Sequence, residues 1–271
     1  MKIRNALGIL TVAAGVGAGS FMSSEPGGSR AFLATMNQRV FPSLPERAKS
    51  QVRSVASHAR EASQSSKTTV NQFGEFRQAI EFITADDLLG DLKTIAAARD
   101  AVQAAYDKGS VLLESHATFQ THVELYRVQL EKASPTLRQL ASQMLKYETE
   151  APYDSLQRGY QVQAEIYQAT ASRFETRLST LQPALSPIAD AMTYTKECVV
   201  FLKRTLDALD VANELAASGT EVELLIENLK TFATGFDELQ ENMEFWSERL
   251  KEFEREDAAF EHFPLEEEID T

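Results

Sequence analysis

The chain is short of the residues that break helices and almost without cysteine. Cys198 is the single cysteine, so no disulfide can form within one chain and a multi-thiolate zinc site is excluded. Only 12 Gly and 8 Pro occur, and no Pro lies between Pro45 and Pro135 or between Pro187 and Pro264. Those two gaps leave room for long helices. No Asn-x-Ser/Thr acceptor is present, which fits a bacterial envelope or an organelle better than the eukaryotic secretory route. Sustained strand alternation between hairpin turns is missing too, and with it any expectation of β structure.

Catalytic signatures are equally scarce. The four histidines are His58, His116, His122 and His262, and none completes a Glu-x-x-His or His-Glu-x-x-His pattern. That removes the ligand pair of ferritin-like bundles and the zincin site. His116 and His122 are six apart, on different helix faces, and cannot ligate one ion locally. No phosphate-cradling glycine loop follows a strand. Cys198 stands in an apolar run with Val199, Val200 and Phe201, where a buried, inert thiol is expected. The sequence therefore assigns no catalytic, cofactor-binding or metal-ligating residue, and points to a non-enzyme with no cofactor and no evident small-molecule substrate.

What is abundant is charge, unevenly spread. Residues 1–70 carry nine Lys or Arg against Glu25, Glu46 and Glu61, a net of +6. The remaining residues hold 18 bases and 37 acids, a net of −19 within the overall −13. Phosphate would be repelled over most of that body, so nucleic acid is not an expected partner. The basic portion adjoins an uncharged apolar stretch, residues 6–22, and is suited to anionic lipid headgroups.

Residues 6–22 support two readings. As a signal peptide they offer a basic leader with Lys2 and Arg4, an apolar region, and a cleavage site after Val16-Gly17-Ala18. As a membrane anchor, their 17 residues sit at the short limit for spanning a bilayer. Gly15 and Gly19, four apart, present the small surface on which membrane helices pack, and favour the anchor. With the basic segment after it, this glycine-dense stretch resembles small cristae-organising proteins of the mitochondrial inner membrane, without a diagnostic motif. The expected location is a membrane crossed once, in a bacterial cell envelope or the mitochondrial inner membrane.

Behind a flexible basic linker at 23–44, helical periodicity takes over. The most regular stretch places Val222, Leu225, Leu229, Phe232, Phe236, Leu239, Met243, Trp246, Leu250 and Phe253 at unbroken 3-4 spacing. Trp246 is read as core or as a partner-facing anchor. An earlier seam runs through Ala48, Val52, Val55, Ala59, Ala62, Ser66, Thr69, Phe73, Phe76, Ile80 and Ile83, and its small, polar middle should pack weakly or bend. Over 85–133 the spacing predicts one long helix, the alternative being a hairpin. Its seam passes Leu88, Leu92, Ile95, Arg99, Val102 and Tyr106, then shifts register at Lys108-Gly109-Ser110. Ser134-Pro135 and Ser186-Pro187 read as helix starts, with Ser as N-cap and Pro at the first helical position. Pro152 and Pro183 read as stops, and Ala217-Ser-Gly-Thr220 as a turn. Between 154 and 181 the expected seam is Tyr160, Ala164, Tyr167, Ala171, Phe174, Leu178 and Leu181, and the next helix is 187–217.

These patterns predict an all-α fold, an elongated antiparallel helical bundle or set of coiled-coil hairpins at 45–256 behind an N-terminal hydrophobic helix. An acidic tail follows at 257–271, where Phe260-Glu-His-Phe-Pro-Leu265 ahead of Glu266-Glu-Glu268 reads as a docking motif or as a frayed terminus. Charged e/g pairs that would specify a coiled-coil dimer are nearly absent from 222–253, so that seam should close first on its own chain. The expected function is a non-enzymatic, membrane-tethered helical scaffold or adaptor. Its partners are the membrane through residues 6–22 and a helical protein, or a second copy, through heptad faces. The alternative is a secreted or periplasmic helical bundle, including a helical pore-forming toxin-like component. Against the toxin stands the lack of any internal run of apolar residues long enough to insert.

Overall fold

A computed structural model describes residues 43–84, 95–214 and 219–261 of the chain. These residues form five α-helices and one 3-10 turn, with no strand among the described residues: α1 (Ser43–Thr84), α2 (Ile95–Glu150), α3 (Asp154–Leu181), the 3-10 turn Gln182–Ala184, α4 (Leu185–Glu214) and α5 (Gly219–Glu261). The all-α expectation holds, and helices pack against one another. The stretches 6–22, 23–42, 85–94, 215–218 and 262–271 lie outside the described residues. With them fall the hydrophobic segment, Leu88, Leu92, His262 and most of the expected tail. The chain divides into two compact units, one of Ser54–Gln129 and Arg177–Phe260, the other of Met1–Arg53, Leu130–Thr176 and Glu261–Thr271.

The larger unit is built from most of α1, the first part of α2, the end of α3, α4 and α5, and side-chain contacts fix the directions of α1, α2, α4 and α5. Ser66 meets Ser247 and Arg77 meets Gln240, so α1 and α5 run antiparallel. Thr69 reaches the Ser115 carbonyl, so residue 69 of α1 stands level with residue 115 of α2. Gly109 lies against both Phe76 and Val199, while Arg99 pairs with Asp210, which sets α2 antiparallel to both α1 and α4. Phe236 closes the core edge-on against Phe73, Phe76 and Tyr194, with ring centroids 5.3–5.5 Å apart. Of the α5 seam, Leu229, Phe236, Met243, Leu250 and Phe253 are buried. Trp246, expected in that seam, is only half-buried.

The seam of α2 runs differently from its sequence reading. Ala98, Val102, Ala105, Gly109, Leu112, His116, Phe119, Val123 and Tyr126 are all buried at unbroken 4-3 spacing. No register shift occurs at 108–110. Ile95, Arg99 and Tyr106 are flanking, half-buried positions, and the true seam contains the small residues. Gly109 is small because it must be: a Cβ there would stand 2.6 Å from Val199 Cγ2 and 2.8 Å from Phe76 Cε2. Gly235 plays the same part on α5, where a side chain would collide with the Tyr194 ring.

The polar middle of α1 closes without weakening into solvent. Ser66 and Thr69 are fully buried, and their hydroxyls donate to the Ser63 carbonyl (2.8 Å) and the Ser65 carbonyl (3.0 Å). Buried hydroxyls satisfied within their own helix avoid the penalty of an unpaired polar group.

Of the two helix starts expected at Ser-Pro pairs, the one at Ser134-Pro135 is corrected, while α4 does begin beside Ser186-Pro187, at Leu185. Pro135 lies inside α2, which continues to Glu150. A proline within a helix forfeits one hydrogen bond and costs about 3 kcal/mol. The apolar period stays in phase across it, however, and Leu137, Leu140 and Met144 are buried beyond it. At about 1.5–3 kcal/mol for each buried side chain, continuing the helix wins. Ser134 does not cap. Its hydroxyl bonds to Glu175 Oε1 (2.8 Å) and to the Ala171 carbonyl (3.3 Å) on α3. At Pro183 the chain does not turn back either. Leu181 (φ −74°, ψ −33°) and Leu185 (φ −64°, ψ −36°) both keep right-handed helical geometry around the 3-10 turn. Pro183 and Pro187 stand at early helical positions, where an amide hydrogen has no helical partner to lose.

In the smaller unit, the end of α2 and the body of α3 form a hairpin through the break at 151–153. Its turn is tied by Gln157, which donates to the Ala151 carbonyl at 3.0 Å. Tyr147 meets Tyr160 near the turn, and the Arg138 fork grips Glu175 with bonds of 2.7 and 2.5 Å further along.

Candidate functional site

The most concentrated chemistry among the described residues is a buried charge cluster in the larger unit. It arises where α5 runs on past its expected end. Counting four residues on from Phe253, the 3-4 seam next reaches Asp257, which the sequence reading placed in an acidic tail. Instead Asp257 is 2% exposed and α5 extends to Glu261, because a partner waits for it. That partner is Arg177 of α3, 3% exposed, which takes the inward position expected of Leu178 while Leu178 stays half-buried.

The guanidinium is enclosed by three oxygen groups and an aromatic face. Nη1 donates to Asp257 Oδ1, with Tyr126 Oη 3.4 Å away, and Nη2 donates to Glu256 Oε2 at 2.9 Å. The Tyr126 hydroxyl donates to the second Asp257 oxygen at 3.3 Å. Arg177 Cζ lies 5.3 Å from the Phe253 ring centroid, and Arg249 Cζ lies 5.2 Å from the same ring. Both are within cation–π range. Nε is buried without a hydrogen-bond partner.

Electrostatics keep these groups in fixed protonation states. Burial works against the Arg177 charge, but Tyr126, Asp257 and Glu256 outweigh it and the arginine is held more firmly protonated than usual. Burial, reinforced by the Asp257 charge, pushes the Tyr126 phenol up and keeps it neutral. Such a cluster ties α2, α3 and α5 together. With Arg177 and Asp257 side chains each 3% exposed, it offers little surface to a substrate.

The other residues singled out from sequence are dispersed. Cys198 is buried, and burial raises its thiol to about 12, so thiolate is scarce at neutral pH. His58 is half-buried, its Nδ1 2.7 Å from the Ser54 carbonyl. His116 is fully buried against Phe73, with ring centroids 6.4 Å apart, and His122 is half-buried. Among the described residues no three His, Cys, Asp or Glu come together as a metal-binding set. No helix among them is long and apolar enough to cross a membrane. Arg99, a charged residue in the seam expected from sequence, reaches across to Asp210.

The outward side of α5 carries a second feature. Phe245 is 60% exposed and stacks edge-on with Trp246 at 5.2 Å, and the exposed Glu241, Glu244 and Glu248 surround it on the same helix. Sequence reasoning read Trp246 as core or as a partner-facing anchor, and it is half-buried. The structure gives the more exposed position to Phe245.

No family model matches the chain, and no curated protein or solved structure matches it.

Proposed function

We propose that the protein is a non-enzymatic helical scaffold, tethered to a membrane through residues 6–22, that recruits a protein partner to its helical body. One observation carries this reading: the aromatic pair Phe245–Trp246 presented on an acidic helix face. Exposed aromatics anchor protein contacts, since they bury large area at small entropic cost. Many seam residues of α1, α2, α4 and α5 are buried within the chain, which favours surface features as the place to meet a partner. The buried charge cluster supports the same reading, because its groups serve to fasten helices. In this account the helices pack as coiled-coil hairpins behind the N-terminal hydrophobic helix, in a bacterial envelope or the mitochondrial inner membrane.

Fractionation with a carbonate wash tests the tether. The intact chain should stay with the membrane pellet, and full release of uncleaved protein would sink the proposal. N-terminal sequencing decides the competing case: a mature start at Gly19 would mean cleavage and a secreted or periplasmic bundle.

A further inference from the structure

His116 lies at a seam position of α2, 0% exposed, and neither of its ring nitrogens has a hydrogen-bond partner. The helices approach closely there. Thr69 of α1 bonds to the carbonyl of Ser115, the residue before it, and Phe73 of α1 lies against the ring. The neighbouring hydroxyls of Ser66 and Thr69 already donate to carbonyls.

We propose that His116 is an acid-sensing element, and that protonation of its buried ring opens the larger unit where α1 and α2 meet at Thr69 and Phe73. An imidazolium carries two donors and a charge, and both need acceptors or water. The ionisable groups of the surrounding elements supply neither. On α1, Lys67 and Glu75 are exposed and Arg77 is engaged with Glu81 and Gln240. On α2, Glu114 is exposed, and on α4 Lys196 and Glu197 are exposed while the Cys198 thiol and the Tyr194 phenol are held neutral. On α5, Glu241, Glu244 and Glu248 face outward. None of them acts on the ring, whose pKa is lowered to about 4 by burial alone.

The direction of the effect follows from linkage. In the unfolded chain the ring titrates at its ordinary 6.5, and in the fold at about 4. The folded state therefore binds fewer protons between those values, so stability is complete above 6.5 and is lost as pH falls towards 4. The full difference corresponds to roughly a 300-fold rise in the unfolding constant, of which about 50-fold is reached by pH 4.5.

The test uses the full chain and urea unfolding followed through Trp246, at pH 7 and pH 4.5, for the natural protein, His116→Leu and His116→Gln. Relative to the natural protein, both variants should lose that ~50-fold acid dependence. A histidine-selective NMR titration of the folded natural protein supplies the second readout, with the His116 ring staying neutral at pH 5. Equal acid dependence in all three proteins would overturn the proposal, as would a folded-state His116 titrating near 6.5. Should His116→Leu fail to fold, His116→Gln and the titration decide.

Discussion

Removing either member of the Arg177–Asp257 pair leaves the other buried, and the two losses should differ. Breaking a buried ion pair from one side costs about 3–5 kcal/mol, because the survivor keeps its desolvation penalty without its partner. Asp257→Asn leaves the guanidinium still bonded to Glu256 at 2.9 Å, a carboxylate that is 37% exposed. The expected cost is near the lower end, about 3 kcal/mol. Arg177→Met leaves the buried Asp257 carboxylate without its guanidinium, though still 3.3 Å from the Tyr126 hydroxyl, and forfeits the contact with the Phe253 face. Its cost should reach about 4–5 kcal/mol. The double variant Arg177→Met/Asp257→Leu replaces both charges by apolar groups and should lose at least 2 kcal/mol less than the sum. Urea unfolding at pH 7 measures all three. Trp246, the only tryptophan, lies in the larger unit and reports it selectively. Costs below about 1 kcal/mol for both single variants would show the pair to be solvated, as surface pairs are. An Asp257→Asn loss larger than that of Arg177→Met would refute the role given to Glu256.

Two glycines in helix interiors should respond in opposite directions to alanine. Gly109→Ala meets Val199 and Phe76 within 3 Å and should destabilise by about 1–3 kcal/mol, whereas Gly74→Ala meets nothing within 4 Å and should stabilise by up to ~1 kcal/mol. Thermal melts of the pair check this, and equal effects would refute the close approach at Gly109. In the smaller unit, Glu175 is held down to about 2 by its bonds to Arg138 and Ser134. Its folded pKa is depressed from 4.5, so the stabilisation is present above that value and fades as pH falls towards 2. A carboxyl NMR titration should find Glu175 among the last glutamates to protonate, and Arg138→Gln should move it back towards the ordinary range.

How much was legible depends on what filled each seam. At Phe73, Phe76, Ile80 and Ile83 of α1 and along the described part of α5, large apolar residues mark the period, and the inward faces follow from sequence. On α2 the inward face includes Ala98, Ala105 and Gly109, chosen for close approach rather than hydrophobicity, so the larger neighbour Tyr106 drew the seam one position off. Pro135 looked like a boundary because local chemistry favours a start there. What overrides it is tertiary in origin, though visible as Leu130, Ala133, Leu137, Leu140 and Met144 holding one spacing across the proline. The charge cluster hid for a related reason. Arg177 and Asp257 are 80 residues apart, and each alone resembles a solvated charge at a helix edge. An acid at the next seam position after Phe253 was the one available signal.

Cys198 shares its hydrophobic cluster with Phe73, Phe76, Leu112 and Phe236. Because it is the sole thiol in the chain, any alkylating reagent modifies one atom or none. The rate of that modification then counts how often this layer opens, since a buried thiol reacts only from the open state. The natural sequence thus carries its own internal clock for breathing of the larger unit, readable by mass without adding a probe.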